Sequence, residues 1–388
     1  MSILEHYVLF VFLFLIMHAW GNVGSRVKNV AMYWILALIP MFCYCFIVGS
    51  RYGWGADYLF YKYRLENAFT YKEEQIVFKW LNQAIAYVGL NYVGGYIIYS
   101  LIYVVCAFVL MRSYKVQSRF MYSFFVPATL IFVTSIIRQG LALAFVYLSI
   151  YFLFRKNWLG LVISVLIGIN IHTSILITYL VLFGFYFFVR QPFNWRVTIP
   201  IYIFFAFFFD YGNVTFISPF INKYIVLNSA FQSYVENADL WFGNDGLNTI
   251  YQQGTFTLIM SSLFYIAVIY IGYYALKMKP SPEVLFLYNA FVFGVIFFRA
   301  VFLFEILRRI AEPFVMFYFV VLGYSIFVFS SNIKKFNRLV KVNKIISSAF
   351  TKRIIIYRVF IAVIVVYLFM FWGRFVFMNP EATFYWNK

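Results

Sequence analysis

Residues 30–48, VAMYWILALIPMFCYCFIV, contain no charged side chain and form an uninterrupted apolar run. A helix that crosses a bilayer needs about 20 mostly apolar residues, and this run has nearly that length. The whole chain of 388 residues is 64% hydrophobic and only 11% charged, which lies outside the range of soluble domains. The sequence therefore predicts an all-α polytopic integral membrane protein, with residues 1–388 forming one membrane domain.

Similar apolar runs recur along the chain and predict about twelve transmembrane helices. Their windows are 3–20, 30–48, 94–111, 120–137, 139–154, 158–171, 173–189, 197–211, 255–276, 284–300, 310–330 and 354–372. No basic segment precedes the first window, so a cleaved signal peptide is disfavoured. Cys43, Cys45 and Cys106 lie inside apolar runs and are interpreted as small buried residues, not as disulfides or zinc ligands.

The distribution of charge predicts the orientation of the spans. With the N-terminus outside, the inner connections hold the basic residues Arg26, Lys28, Arg112, Lys115, Arg119, Arg155, Lys156, Arg190, Arg196, Lys277 and Lys279, followed by a basic cytoplasmic loop at about 331–353. Under the same assignment Glu283 is the one acidic residue on the inside. The net charge of +18 is then mainly an orientation signal and an attraction to anionic lipid, and nucleic-acid binding is disfavoured.

Two connections on the outer side are too long to be turns, at about residues 49–93 and 212–254. The first contains Ile76, Trp80, Ala84 and Val88 at intervals of four, which predicts an amphipathic helix lying at the membrane interface. A second interfacial helix is expected in the other connection. Long loops of this kind commonly bind ligands, so the outer face is predicted to be the working face.

Several polar residues at the outer boundary require either a structural partner or a function, because charge inside a bilayer is costly. Arg138, followed by Gln139, could clamp phosphate oxygens or could be an interfacial arginine that extends to the headgroups. His172 could accept a proton from a sugar hydroxyl or could be a structural residue at a helix end. Metal binding is disfavoured, since the three histidines show no ligand spacing.

Two further groups of charges carry the same ambiguity. Arg308 and Arg309 could be neutralised by Glu312 and Glu305 at i,i+4 spacing, or one arginine could face a cavity. Residues 51–61, RYGWGADYLFY, place Arg51 six residues before Asp57, with glycines that permit a tight turn. This pair could brace the turn or could contact substrate directly.

The sequence contains no Asp-x-Asp metal motif, no glycine-rich phosphate loop and no soluble domain for a nucleotide. A nucleotide-activated substrate that requires Mg²⁺ is therefore disfavoured, and no cofactor is expected. A substrate on a lipid carrier, entering from the bilayer, is compatible with the remaining features.

Three motifs resemble the EpsG family of bacterial exopolysaccharide and O-antigen polymerases, the Wzy-type enzymes. RYGWGADYLFY at 51–61 resembles the family pattern R-x-G-x-G-x-D-Y-x-x-Y, IRQGLA at 137–142 resembles I-R-Q-G-x-A, and IHTS at 171–174 resembles I-H-x-S/T. The motifs follow the family's order over about residues 45–180. Two positions depart from the pattern: Gln75, preceded by Glu74, stands where the family often has a glutamate, and either Arg308 or Arg309 could match the late family arginine.

The resemblance implies a GT-C-like, metal-independent glycosyltransferase of the bacterial inner membrane, with its active site facing the periplasm or cell exterior. Its substrates would be oligosaccharide repeat units on undecaprenyl pyrophosphate, both as donor and as acceptor. Arg138 and one of Arg308 and Arg309, with Arg51, would bind pyrophosphate, and His172 or Asp57 would be the base. The secondary candidates are Gln139, Glu74, Tyr58 and Tyr61. A flippase and a chain-length regulator are the expected protein partners, and an O-antigen ligase or a repeat-unit transporter are the alternative functions.

Overall fold

The computed structural model describes residues 3–55, 57–73, 75–134, 136–209, 254–302, 305–343, 348–378 and 383–384. Its helices are α1 Ile3–Gly24, α2 Val30–Gly49, α3 Tyr58–Glu66, α4 Ile76–Tyr87, α5 Tyr92–Ser113, α6 Met121–Thr134, α7 Ile137–Phe154, α8 Trp158–Ile171, α9 Ile175–Phe188, α10 Trp195–Phe207, α11 Thr255–Met278, α12 Pro282–Ala300, α13 Glu305–Val315, α14 Tyr318–Asn343 and α15 Ser348–Met378. A 3-10 helix, Lys115–Phe120, precedes α6, and two short strands, β1 Arg51–Tyr52 and β2 Thr383–Phe384, complete the described elements.

Asparagine side chains begin several of these helices. Asn29 and Asn91 precede α2 and α5, and their Oδ1 atoms accept hydrogen bonds from the backbone N–H groups of Met32 (2.9 Å) and Gly94 (3.1 Å). These bonds satisfy N–H groups that have no partner within the helix. Each such helix therefore has a start fixed by one residue of the preceding turn.

Seven helical segments among the described residues are long and apolar enough to cross a membrane. They are Leu4–Gly24, Val30–Gly49, Tyr92–Ser113, Ile137–Phe154, Thr255–Met278, Pro282–Ala300 and Leu307–Ile333. The last of these extends over α13 and α14. The chain is therefore an all-α multi-pass membrane protein, as its composition predicts.

The predicted number of twelve spans is not confirmed. Shorter apolar helices occupy Trp158–Ile171, Ile175–Phe188, Trp195–Phe207 and Ile355–Phe371. A helix of 14 residues such as α8 is only about 21 Å long, whereas the hydrocarbon core of a bilayer is about 30 Å thick. The windows 120–137 and 139–154 also have a wrong boundary, because α7 begins at Ile137 and takes Arg138 into its first turn.

Helices in the centre of the bundle are more enclosed than those at its edge. In the span Leu307–Ile333, 72% of the most apolar window is buried, against 33% in Leu4–Gly24. Gly323 lets α14 approach α6 closely, because a Cβ atom there would lie 2.6 Å from the backbone nitrogen of Met121. Large apolar side chains such as Phe42 and Phe188 point outward instead, which is the arrangement expected for contact with lipid.

The two ends of the chain and the first long connection meet on one face. Strands β1 and β2 pair antiparallel, with Arg51 opposite Phe384. The ring of Trp54 stacks on His6 and also contacts Phe384, both at 5.0 Å between ring centroids. Residues 6, 54 and 384 therefore lie at the same end of the helical bundle.

The first long connection, residues 49–93, contains β1, α3 and α4. Gly53 and Gly55 both adopt positive φ, 68° and 83°, so the predicted glycine turn is confirmed. In α4, Ile76 and Trp80 are 50% and 64% exposed, while Phe78 is buried. The apolar stripe predicted on this helix thus faces away from the protein, as an interfacial helix requires.

Two other predicted segments have different outcomes. The connection at 212–254 lies outside the described residues except for Gly254. The basic segment at about 331–353 is helical on both sides of residues 344–347, because α14 continues to Asn343 and α15 begins at Ser348.

Candidate anion site at the start of helix α7

Arg138 is the second residue of α7 and is held by the connection between α3 and α4. Its Nη1 group donates to Oε1 of Glu73 at 3.1 Å and also to Oε1 of Gln75. The other carboxylate oxygen of Glu73, Oε2, accepts from Nη1 of Arg64 at 2.6 Å. The Glu73 side chain is only 5% exposed, so one carboxylate bridges two arginines inside the protein.

Aromatic rings fix Arg64 in turn. Its guanidinium carbon lies 4.1 Å from the ring centroid of Phe60 and 4.8 Å from that of Tyr71. Its Nη2 donates to the hydroxyl of Tyr71 at 3.1 Å. Stacking on ring faces and a charged hydrogen bond together restrict the rotamers of a long side chain. Arg64 is therefore a fixed anchor for Glu73.

The opposite edge of Arg138, called its open edge below, has no hydrogen-bond partner among the described residues. The Nε atom of Arg138 is buried without a partner, and Nη2 makes no hydrogen bond within the part of the chain that the structure describes. The Nε and Nη2 groups of arginine form the fork that binds two oxygens of one phosphate or carboxylate. Arg138 is thus held on one edge, and the donors of its other edge have no partner among the described residues.

His172 follows the last residue of α8 and lies in the electric field of two arginines. Its backbone N–H donates to the carbonyl oxygen of Gly168 at 3.0 Å, and its Nδ1 atom is buried without a hydrogen-bond partner. Burial, and then the charges of Arg138 and Arg309, lower the pKa of His172 to about 3. The imidazole is therefore neutral at neutral pH and next to two cationic groups.

Gln139 connects the start of α7 to α13. Its Nε2 donates to the backbone carbonyl oxygen of Arg309 at 2.6 Å, and the side chain is 1% exposed. In an α-helix this carbonyl would accept from the N–H of residue 313, but that residue is proline and has no N–H. Gln139 therefore supplies the hydrogen bond that Pro313 removes, and this contact fixes Arg309 beside α7.

The two arginines of α13 have different surroundings. The Nε of Arg308 lies 3.6 Å from Oε1 of Glu312, which is one of the two ion pairs predicted from i,i+4 spacing. The other predicted pair involves Glu305, whose side chain lies outside the described residues. Arg309 instead acts on His172. Of the two arginines, Arg309 is therefore the one whose charge reaches His172.

Tyr61 and Asp57 lie on the α3 side of the same cluster. Tyr61 is buried, and burial raises the pKa of its phenol, while the charges of Arg138 and Arg64 lower it and Asp57 raises it. Asp57 precedes α3, and its carbonyl oxygen accepts the backbone N–H of Tyr61 at 3.0 Å. Tyr61 is thus placed near Arg138 and Arg64, and Asp57 lies near Tyr61.

Arg51 and Tyr58 belong to the packing beneath this cluster. Arg51 has no exposed surface, and its Nη1 donates to the carbonyl oxygen of Val48. Its guanidinium carbon lies 4.7 Å from the ring centroid of Tyr96. The hydroxyl of Tyr96 donates to the carbonyl oxygen of Tyr58 at 2.7 Å. The structure therefore places Arg51 inside the protein, where it supports the turn, and does not bring it to the open edge of Arg138.

A family model, the EpsG family, matches residues 34–386, which is nearly the whole chain. The chain belongs to the EpsG family. Neither a search of curated proteins nor a search of solved structures finds a match to it. Membership in EpsG supports a general role as a glycosyltransferase-like polysaccharide polymerase of a membrane.

The EpsG motifs contain Arg138, Gln139, His172 and Asp57, but they do not contain Glu73 or Arg64. Gln75 occupies the slot where the family often has a glutamate, and it does contact Arg138. The carboxylate itself comes from Glu73, two residues earlier, whereas Glu74 lies outside the described residues. In the sequence, Glu73 and Glu74 stand together just before α4, and nothing in the pattern shows which of the two contacts Arg138.

Proposed function

We propose that this EpsG protein joins oligosaccharide repeat units, each carried on undecaprenyl pyrophosphate, into a surface polysaccharide. The donor chain is transferred from its lipid carrier to a hydroxyl of the acceptor unit at the outer leaflet. The family supplies the general role in polysaccharide polymerisation. The charged cluster at the start of α7 supports the choice of a pyrophosphate-linked donor.

The single observation that carries the proposal is the open edge of Arg138 beside His172 and Arg309. A buried donor without a partner is costly, so natural sites that keep one commonly use it for a ligand. The charges of Arg138 and Arg309 both act on His172, and two cationic groups in one region favour a doubly charged anion such as a pyrophosphate diester. The N-terminus of α7 adds the positive end of a helix dipole to the same place.

The proposed reaction is one direct displacement at the anomeric carbon. The acceptor oxygen forms a bond to this carbon while the bond from the carbon to the pyrophosphate oxygen breaks, so the configuration inverts. Negative charge that develops on the leaving pyrophosphate is stabilised by Arg138 and Arg309. Lipid pyrophosphate leaves readily, so in this proposal the arginines supply the charge stabilisation and no metal ion is invoked.

The proton of the acceptor hydroxyl goes to His172 or Asp57. In the unliganded site the imidazole of His172 is a weak base, because burial, and then the charges of Arg138 and Arg309, lower its pKa. Pyrophosphate would offset these charges and raise the pKa of His172 towards the value that a general base needs. Binding of the donor would thus activate the base in the same step.

The proposed substrate also implies which proteins act before and after this one and which face of the membrane holds the site. A flippase would deliver the lipid-linked unit to the outer leaflet, and a chain-length regulator would act on the growing polymer. The face that holds the first connection and both chain ends is the outer face in this proposal. An exposed stripe on α4, adjoining Gln75, lies where a lipid carrier could approach from the bilayer.

The test uses the purified protein in proteoliposomes with a synthetic polyprenyl-pyrophosphate oligosaccharide. The expected result is a ladder of polymer with release of polyprenyl pyrophosphate, undiminished by a chelator. Transfer of one unit to a lipid A core, without a ladder, would instead indicate a ligase. Movement of the intact donor between leaflets without bond cleavage would indicate a transporter and overturn the proposal.

A further inference from the structure

We propose that Glu73 is the positioning residue of the site, the carboxylate that holds one edge of Arg138 so that the other edge stays open to the donor pyrophosphate. This inference rests on the proposed function. It concerns a residue that no EpsG motif named above includes.

The two oxygens of Glu73 have separate tasks. Oε2 binds Arg64 at 2.6 Å and Oε1 binds Arg138 at 3.1 Å, across 65 residues of sequence. A carboxylate that only braced its own connection would need Arg64 alone, which lies nine residues away in the same segment. The second contact reaches the first turn of a different helix, and this is the helix turn that holds the open guanidinium edge.

Rigidity behind Glu73 makes this contact effective. Arg64 is stacked between aromatic rings and bonded to Tyr71, so the carboxylate that it holds is fixed in turn. A guanidinium is planar, and fixing Nη1 also fixes the directions of Nε and Nη2. Catalytic groups held in this way lose little free energy to ordering when the substrate binds.

Gln75 shares the same nitrogen of Arg138 but carries no charge. Glu73 therefore supplies the negative charge that Nη1 contacts, while Gln75 supplies a second acceptor. Because both side chains already reach Nη1, a carboxylate at position 75 would reach it as well. The chain thus offers a way to move the carboxylate without moving Arg138.

The experiment exploits this geometry with Glu73→Gln and Glu73→Gln/Gln75→Glu, assayed for polymer in the proteoliposome reaction. Glu73→Gln should lower the rate about tenfold or more, because Arg138 loses its charged support. The double variant should recover most of that loss, since a carboxylate again contacts Nη1. The matched control is Glu66→Gln, which removes an exposed carboxylate that pairs with Lys62 and should leave the rate unchanged.

Each other outcome decides against the inference. Full activity of Glu73→Gln would overturn it, and failure of the double variant to recover, together with an equal loss in Arg64→Gln, would show that Glu73 only braces its own connection. If neither Glu73 variant accumulates in the membrane, the role is likewise structural. Arg138→Ala is included because its full activity would overturn the proposed function itself, whereas its inactivity beside an active Glu73→Gln would overturn the role of Glu73 alone.

Discussion

At the scale of single residues, the site depends on how the two edges of one guanidinium are used. Glu73 and Gln75 engage Nη1 of Arg138, and Nε remains buried without a hydrogen bond. Lysine has three donors but no planar fork, so it could not be held on one side and remain open in a fixed direction on the other. The residue type at 138 is therefore explained by geometry and not by charge alone.

A pH-dependent stability follows from His172. Its pKa is about 3 in the folded protein against 6.5 for an unperturbed histidine. Between these values the unfolded chain binds a proton that the folded chain does not bind, so the free energy of unfolding falls as the pH falls through this window. The loss approaches about 1.4 kcal/mol per pH unit for one proton.

We expect the unfolding midpoint of the detergent-solubilised protein to fall more steeply from about pH 7 to about pH 5 than that of His172→Gln. Inorganic pyrophosphate should reduce the difference, because an anion near Arg138 and Arg309 raises the pKa of His172. Parallel curves for the two proteins would contradict the position of His172 between the two arginines.

The sequence identified Arg138 and His172 because each stands in a short motif at the end of an apolar run. Glu73 could not be identified in the same way, since its role is created by a contact with a residue 65 positions later. For Arg51 the motif left two interpretations open, a brace of the turn and a substrate contact. The side chain lies entirely inside the protein, which favours the first interpretation.

At the scale of secondary structure, the site depends on how α13 is attached to α7. Pro313 removes one hydrogen bond from α13, and the side chain of Gln139 replaces it at the carbonyl of Arg309. An unsatisfied buried carbonyl costs about 1 to 3 kcal/mol. The carbonyl that Pro313 leaves without a partner in α13 is thus the atom through which α7 and α13 are hydrogen-bonded.

Gln139→Met should lower the unfolding midpoint and the rate of polymer formation, because the carbonyl of Arg309 then has no donor. Pro313→Ala in the same chain should recover the midpoint, since alanine returns the missing N–H to the helix. The measurement is the unfolding midpoint of the two single variants and the double variant. Additive effects of the two substitutions would show that Gln139 and Pro313 are not coupled through this carbonyl.

Helix α4 shows what periodicity can predict. Its stripe at Ile76, Trp80, Ala84 and Val88 indicated one apolar face, and this face is exposed in the structure. The sequence did not show that the opposite face is buried, around Phe78, or that Gln75 at its start contacts α7. Periodicity identifies the face of a helix, but the partner of that face depends on the tertiary fold.

At the scale of the whole molecule, the contacts among His6, Trp54 and Phe384 constrain the topology. They place both ends of the chain and the first connection on one face. Hydropathy predicted about twelve spans, several of them shorter than 20 residues, because it counts apolar runs, and several of these runs form helices of 13 or 14 residues. The contacts that bring residues 6, 54 and 384 together do not depend on that count.

The predicted orientation can be tested with single cysteines in a chain whose native Cys43, Cys45 and Cys106 are replaced by serine. Tyr87 is exposed at the end of α4. A cysteine introduced by Tyr87→Cys should react with a membrane-impermeant maleimide in intact spheroplasts. Lys156→Cys lies in the exposed turn between α7 and α8, at the far end of α7, and should react only after permeabilisation. The reverse pattern would place Arg138 and His172 at the cytoplasmic face.

The amount of full-length polymer made by variants in a strain that lacks the native gene tests the central claim most directly. Arg138→Ala, Arg138→Lys, His172→Ala and Arg309→Ala are compared with Arg190→Ala, an exposed arginine in the turn between α9 and α10, with membrane levels measured for each. We predict that the first four variants lose about a hundredfold or more of the polymer and that Arg190→Ala keeps it. Full-length polymer at normal membrane levels from Arg138→Ala, His172→Ala and Arg309→Ala would contradict the assignment of the site.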